Sequence, residues 1–266
     1  MAASPPGLLA QLPGTTGCVV DALATDIAGC DNTGRALTMY GWGGATVSPD
    51  YGGLGLPART YAEIVMRVSS VWMALTGIFN SHLMLALAIE KYGTAEQKQT
   101  WLPKLASGEM RGGLALTEPN AGTDLQGIRM TARRDGDSYV INGTKTWISN
   151  GIEGSVFALL VKTDPAAQPR YKGMSLFIAP KGPGFTVGKK LEKLGYKSID
   201  SAEMIFDDYR IPADHLIGGE EGQGFLQATG GLELGRINVA ARGVQQPTTL
   251  MSPGVGGRIA LPGLCE

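Results

Sequence analysis

Histidine is almost absent from this 266-residue chain, which carries only His82 and His215. That excludes a multi-histidine metal centre and leaves any Ser-His-Asp arrangement one of these two imidazoles. Cysteine is nearly as scarce. Cys18, Cys30 and Cys265 form no C-x-x-C pair and build no disulfide framework. Charge is thin and balanced, with 23 Lys and Arg against 24 Asp and Glu, 18% of the residues and a net −1. An ordinary domain carries about 25%. No long-range field therefore favours nucleic acid or an anionic membrane.

Familiar fingerprints are missing as well. There is no G-x-G-x-x-G after a strand, no H-E-x-x-H and no G-x-S-x-G,. Lys181–Lys190 is glycine-rich but lacks a P-loop ending, and reads as a turn between strands,. The first forty residues carry only Asp21, Asp26, Asp31 and Arg35. They show neither a basic n-region nor an arginine-rich presequence, so export is not expected and the expectation is a cytoplasmic protein. One uncharged run, Val68–Ile89, is long enough to span a bilayer,. Ser69, Ser70, Thr76, Asn80, Ser81 and His82 interrupt it, and the preferred reading is a helix buried in a helical domain.

What the chain has in excess is glycine, 39 residues, about twice the usual ~7%. Glycine at that level costs backbone entropy and belongs where turns or close approaches need it. The hydrophobic pattern divides the chain into five parts: a poorly defined segment 1–44, a helical domain 45–112, a central β domain 113–218, one further helix 219–245 and an irregular tail 246–266. A long helix is predicted from Arg59 to Tyr92, stopped by Gly93. Thr94-Ala-Glu-Gln97 reads as a capping box opening a short helix that Pro103 breaks or kinks. Beyond Gly112 short β-rich runs alternate with Asp135-Gly136 and Asn142-Gly143, dipeptides suited to tight hairpins. The expected class is α+β, with an antiparallel barrel or sandwich at its centre.

Two stretches carry candidate chemistry. In Leu114-Ala-Leu-Thr-Glu-Pro-Asn-Ala-Gly-Thr-Asp124 a strand ends at a Thr-Glu-Pro corner, followed by small residues whose amides can bind phosphate or heteroaromatic oxygens. An ordinary strand-to-loop turn reads equally well. In Lys145-Thr-Trp-Ile-Ser149, alternation puts Lys145, Trp147 and Ser149 on one face. That suits an indole stacking on a planar ligand, or a half-buried core tryptophan.

Leu114–Asp124 and Gly143–Asn150 together resemble the acyl-CoA dehydrogenase family of flavoproteins. Tyr51–Pro57, Tyr92–Leu105, Leu191–Tyr196, Phe206–Pro212 and Gly231–Arg242 agree, so the likeness spans about 45–244 in the family's order. The resemblance implies a helical domain, a central β domain and a C-terminal helical bundle represented here by its first helix, with FAD between the last two. Carried over by position, Leu116 and Thr117 would meet the flavin pyrimidine edge, with Gly122 in the same cofactor loop. Thr123 replaces the commoner serine and would serve both the FAD pyrophosphate and the thioester ligand. Trp147 would lie against the isoalloxazine and Ser149 would hydrogen-bond the flavin. Glu233 and Arg236 match positions near the CoA thioester; a helix surface charge and a domain-interface ion pair remain open for them. The family also implies an acyl-CoA substrate, electron-transfer flavoprotein as partner and a homo-oligomer, without nucleic acid or membrane.

The family's base is a glutamate, late in the bundle or immediately before the matching arginine. Gly235 fills the second position, and the likeness fades after Val244. Glu233 lies two residues away, about 200° around a helix, and Glu266 sits in unrelated sequence. No catalytic residue is assigned. The expectation is impaired α,β-dehydrogenation or, alternatively, a non-catalytic flavin and acyl-CoA binding or scaffold piece that pairs with a longer relative.

Overall fold

The computed structural model describes residues 42–251. Of the segment 1–44 read as poorly defined, only Trp42–Gly44 is described, as a buried 3-10 turn; the rest of it, the tail beyond 251 and the three cysteines lie outside the described residues. Helix α1 runs Ala58–Tyr92, α2 Ala95–Ala106 and α3 Gly224–Met251. Between α2 and α3 lie seven strands: β1 Gly112–Ala115, β2 Thr131–Asp135, β3 Ser138–Ser149, β4 Val156–Lys162, β5 Met174–Pro180, β6 Phe185–Lys190 and β7 Ser201–Pro212. They form one curled sheet in the order β1-β4-β2-β3-β7-β6, with β5 on β4. The class is α+β, as expected.

β4 and β5 are buried along almost their whole length, the pattern of strands covered on both faces. Alternation then sends successive side chains into different cores. Val156, Ala158 and Leu160 join Leu85, Ala88 and Ile89 of α1 and Leu102 and Leu105 of α2. Phe157, Leu159 and Val161 face Tyr139, Ile141, Met204 and Phe206 inside the curl. The sheet is thus clamped between a helical layer and its own far side.

Four expectations need correction. The sheet is mixed, because β4 pairs in parallel with β1 and with β2; the route from β1 to β4 passes through the β2–β3 hairpin, so it is a crossover. Asp135-Gly136 does turn that hairpin, with Gly136 at φ 62°, but Asn142-Gly143 does not turn. It lies inside β3 at a register shift against β7, where Asn142 and Asp208 exchange hydrogen bonds of 2.8 and 3.1 Å. Pro103 sits inside α2 and the helix continues to Ala106. α3 continues to Met251, past the expected 245.

The capping box is present as read: Gln97 N donates to Thr94 Oγ1 and Thr94 N to Gln97 Oε1, at 3.2 and 3.0 Å. The same Gln97 amide reaches the carbonyls of Asp214 and Leu216, tying α2 to the end of the β domain. α1 bends at Trp72 (φ −148°, ψ 90°). Asn238 of α3 spans that bend, its Nδ2 donating to the Tyr61 hydroxyl at 2.8 Å and to the Thr76 carbonyl at 3.3 Å. Trp72–Tyr92 is long and apolar enough to cross a membrane by length and composition, yet 83% of its window is buried in the fold, as in a core helix.

His82, within that stretch, is fully buried against the Leu105 carbonyl at 3.0 Å. Burial disfavours its charged form and holds its pKa at about 4, below the ordinary 6.5,. Between those values the unfolded chain binds more protons, so stability rises with pH across the window and is lost as pH falls through it. Denaturant titrations from pH 7 to 4.5 should show a slope of up to about 1 kcal/mol per pH unit from this group. His82→Gln should flatten that slope, and identical slopes in both proteins would rule the linkage out.

Candidate functional site

β1 delivers Leu116, Thr117 and Glu118 to a corner closed on itself. Glu118 N donates to the Ala121 carbonyl at 2.9 Å and Ala121 N to the Glu118 carbonyl at 3.1 Å, so Pro119 and Asn120 are pushed outward and exposed. The Glu118 carboxylate turns inward. It accepts from the amides of Arg129 and Met130 at 2.7 and 3.2 Å and from Lys145 Nζ at 2.8 Å.

Lys145 is buried completely, and its ammonium also donates to the Leu116 carbonyl at 2.9 Å. Burial pulls its pKa down to about 8 while the Glu118 carboxylate pulls it upward,. Next along β3, Thr146 N donates to the Thr117 carbonyl at 2.9 Å. Corner and strand are therefore joined by one ion pair and one backbone bond.

The strand cannot continue with simple alternation. Lys145 pairs with Met204 and Ile148 with Ala202, so Thr146 and Trp147 together oppose Glu203. This is a β-bulge, and Trp147 takes φ 59° within it,. The expected shared face of Lys145, Trp147 and Ser149 is accordingly wrong: Lys145 is buried, Trp147 is 56% exposed and Ser149 is half-buried. A left-handed backbone at a bulky residue is costly, of order 1–3 kcal/mol. It persists because the residues on either side are fixed: Lys145 by Glu118, and Asn150 by donation of its Nδ2 to the carbonyls of Ile78 and Gly112 at 3.0 and 2.8 Å.

The result is an indole displayed to solvent beside a loop of small residues. Gly122 and Thr123 are exposed, and an added Cβ at Gly122 would meet nothing nearer than Thr117 Cγ2 at 3.9 Å. Among the described residues the amides of Gly122 and Thr123 have no partner, while Asp124 reaches Arg170 at 3.7 Å. An exposed aromatic face, free amides and hydroxyls within one β corner fit a planar heteroaromatic ring carrying an anionic tail. Leu116, Thr117, Gly122, Thr123, Trp147 and Ser149 all lie on this corner and strand end. No group of three His, Cys, Asp or Glu side chains that could hold a metal occurs among the described residues.

Glu233 and Arg236 sit elsewhere, on the exposed surface of α3. Glu233 pairs with Lys91 of α1 at 3.4 Å, the helix-surface reading. Gly235 is buried, and a Cβ there would lie 2.5 Å from Met84 Sδ; the close approach of α3 to α1 keeps that position small. Glu118 and Asn150 were not singled out as site-building residues from sequence. A lysine within an apolar strand and a glutamate beside a proline were the visible signals, but partners 27 residues apart meet only through the topology.

Comparison with known proteins gives two family matches: "Acyl-CoA dehydrogenase, N-terminal domain" over residues 26–109 and "Acyl-CoA dehydrogenase, middle domain" over residues 113–209. The chain is 43% identical over 200 residues to the mitochondrial short-chain specific acyl-CoA dehydrogenase of Homo sapiens, covering 74% of this chain and 47% of the relative. It is 40% identical over 210 residues to the short-chain specific acyl-CoA dehydrogenase of Clostridium acetobutylicum, covering 78% and 55%. The crystal structure of acyl-CoA dehydrogenase from Geobacillus kaustophilus superposes with TM-score 0.78 at 35% identity, covering 87% of this chain and 65% of that one. The chain spans about half the length of the curated relatives it matches.

Breaking the buried pair from one side leaves an uncompensated charge or acceptor. Lys145→Met and Glu118→Gln should each destabilise the fold by about 3–5 kcal/mol. The double variant should lose clearly less than their sum. Denaturant unfolding of the four proteins measures this, and additive losses would contradict a direct coupling.

Proposed function

We propose a function from one premise: the chain belongs to the acyl-CoA dehydrogenase family, whose N-terminal and middle domains it matches in order. On that premise it is an FAD-binding protein that takes an acyl-CoA thioester. The observation that carries this reading is the exposed Trp147 at the bulge beside the Thr117–Thr123 loop. Leu116 and Thr117 would border the pyrimidine edge, Trp147 the isoalloxazine face and Ser149 its hydrogen-bonding rim. Gly122 and Thr123 would hold the pyrophosphate. When bound, the flavin supplies the hydride acceptor, and the protein supplies position and proton transfer.

In the family reaction a carboxylate removes the weakly acidic α-proton of the thioester, which demands a placed base. Among residues 42–251 we assign no carboxylate to this role; the corner's own Asp124 lies 3.7 Å from Arg170. Glu118 is engaged by Lys145 and two amides, Glu233 is turned to Lys91, and Gly235 precedes Arg236. We therefore assign ligand binding, with impaired dehydrogenation, to the described residues 42–251. Arg236, exposed and without a carboxylate partner among the described residues, remains the candidate contact for the CoA moiety, with Glu233 as its neighbour.

A second reading has its own observation. Leu226 and Val239 of α3 are 59% and 57% exposed. A binding piece that associates with a longer relative would cover them. Electron-transfer flavoprotein, the family's partner, would then meet the assembly and not this chain by itself.

The purified protein should show flavin absorbance bands, and anaerobic addition of butyryl-CoA should leave them unbleached. Trp147→Ala should lose most of the bound flavin while keeping the fold by circular dichroism. Full bleaching by acyl-CoA would overturn the impaired-activity assignment, and unchanged flavin content in Trp147→Ala would overturn the placement of the ring.

A further inference from the structure

Away from the β corner, α3 carries Arg242 against the middle of α1. Its guanidinium carbon lies 5.5 Å from the centre of the Tyr196 ring. One terminal nitrogen, Nη1, lies 3.5 Å from where a Cβ on Gly77 would stand. Tyr196 itself takes φ 61°, an unusual backbone for an aromatic residue, which presents its ring beneath the guanidinium. Gly77 has no side chain there, and Ile199 and Tyr196 close over it at 2.3 and 2.8 Å from the same virtual Cβ. Glycine at 77 is what allows the loop and the arginine to approach α1.

Among the described arginines only Arg111 and Arg242 are withdrawn from full exposure. Arg111 has Glu153 at 3.8 Å. Arg242 has no carboxylate within ion-pairing distance among the described residues. The loop beside it carries Glu192, which is exposed, and Asp200, which already accepts from the amides of Ile152 and Glu153 at 2.5 and 3.2 Å. Lys193 of the same loop donates to Ser201 Oγ at 2.9 Å. Burial makes the charged guanidinium less favourable, and the neighbouring Tyr61 opposes this.

Polar atoms without partners gather around the same turn of α1. Among the described residues, Asn238 Oδ1 and Asn80 Oδ1 are buried and have no partner. The Asn238 Nδ2 already donates to Tyr61 Oη and to the Thr76 carbonyl, which is the acceptor of the Asn80 amide in a regular helix. A half-buried cation and buried acceptors that find no partner among the described residues are both expensive when left alone. A bound group would relieve the first directly and could order water for the second.

We propose that Arg242, stacked on Tyr196 and bordered by Tyr61 and Asn238, is a binding subsite for the carboxylate of a small organic acid or of an acid-bearing ligand. A guanidinium that no described carboxylate engages matches a planar carboxylate bidentately. A single positive charge balances a monoanionic group. A dianionic phosphate would leave one charge uncompensated among amide oxygens.

The test uses the full chain, titrated with glutarate, inorganic phosphate or chloride at constant ionic strength. The readout is the Asn238 side-chain amide resonance, which needs no flavin and no acyl-CoA. Glutarate should move it saturably, more strongly than phosphate, with no saturable effect of chloride. Arg242→Gln should weaken the glutarate response at least about tenfold, and Arg242→Lys should weaken it less, since charge remains but the fork is lost. Absence of a saturable glutarate response in the unaltered protein overturns the subsite, as does an equal response to all three anions. A preference for phosphate overturns the carboxylate assignment.

Discussion

One buried ion pair determines where everything else at the site can stand. Lys145 has no exposure and its ammonium is held by the Glu118 carboxylate and the Leu116 carbonyl. Taking both charges out of water is expensive, and mutual attraction offsets that cost only when the remaining lone pairs are satisfied. Here they are, because Arg129 and Met130 donate their amides to the same carboxylate. The arrangement contributes little as net stability and much as registration. It fixes a corner at the end of β1 against the strand β3, which pairs with a different neighbour.

From that registration the display of the indole follows. With Lys145 anchored inward and Asn150 anchored to α1 and β1, the chain between them must fit one residue more than β7 opposes. The surplus is taken up at Thr146 and Trp147, where the backbone enters the left-handed region. The indole consequently points outward beside the small-residue loop. The helical layer enforces the same geometry from behind. α3 comes close to α1 because Gly231 and Gly235 face Met84, and Asn238 bridges the two halves of the bent α1. Glycine enrichment in this chain thus reflects close approaches as much as turns.

Much of the architecture was legible in the sequence, for identifiable reasons. The Thr94–Gln97 capping box and the Asp135-Gly136 hairpin are local, and local chemistry decides them. The uncharged run Val68–Ile89 read correctly as a core helix because its polar interruptions and charged flanks are part of the sequence. The errors arose where tertiary pairing overrides a local rule. Asn142-Gly143 has turn chemistry but lies in a long strand, since β7 supplies a partner and Asp208 engages Asn142. Alternation through Lys145, Trp147 and Ser149 failed because a bulge has no signature in composition. The pairing of Lys145 with Glu118 was invisible for the same reason: it depends on which strands meet. The candidate cofactor residues were reached through family resemblance, whereas the residues that hold them in place emerged only from the fold.

The display of Trp147 depends on the buried pair. The direct measurement is emission from Trp147, isolated by subtraction of a Trp147→Phe variant, during titration with FAD. The unaltered protein should show saturable quenching. A Lys145→Met protein that retains its secondary structure should show little. Equal quenching in both would contradict the claim that the ion pair sets the position of the indole.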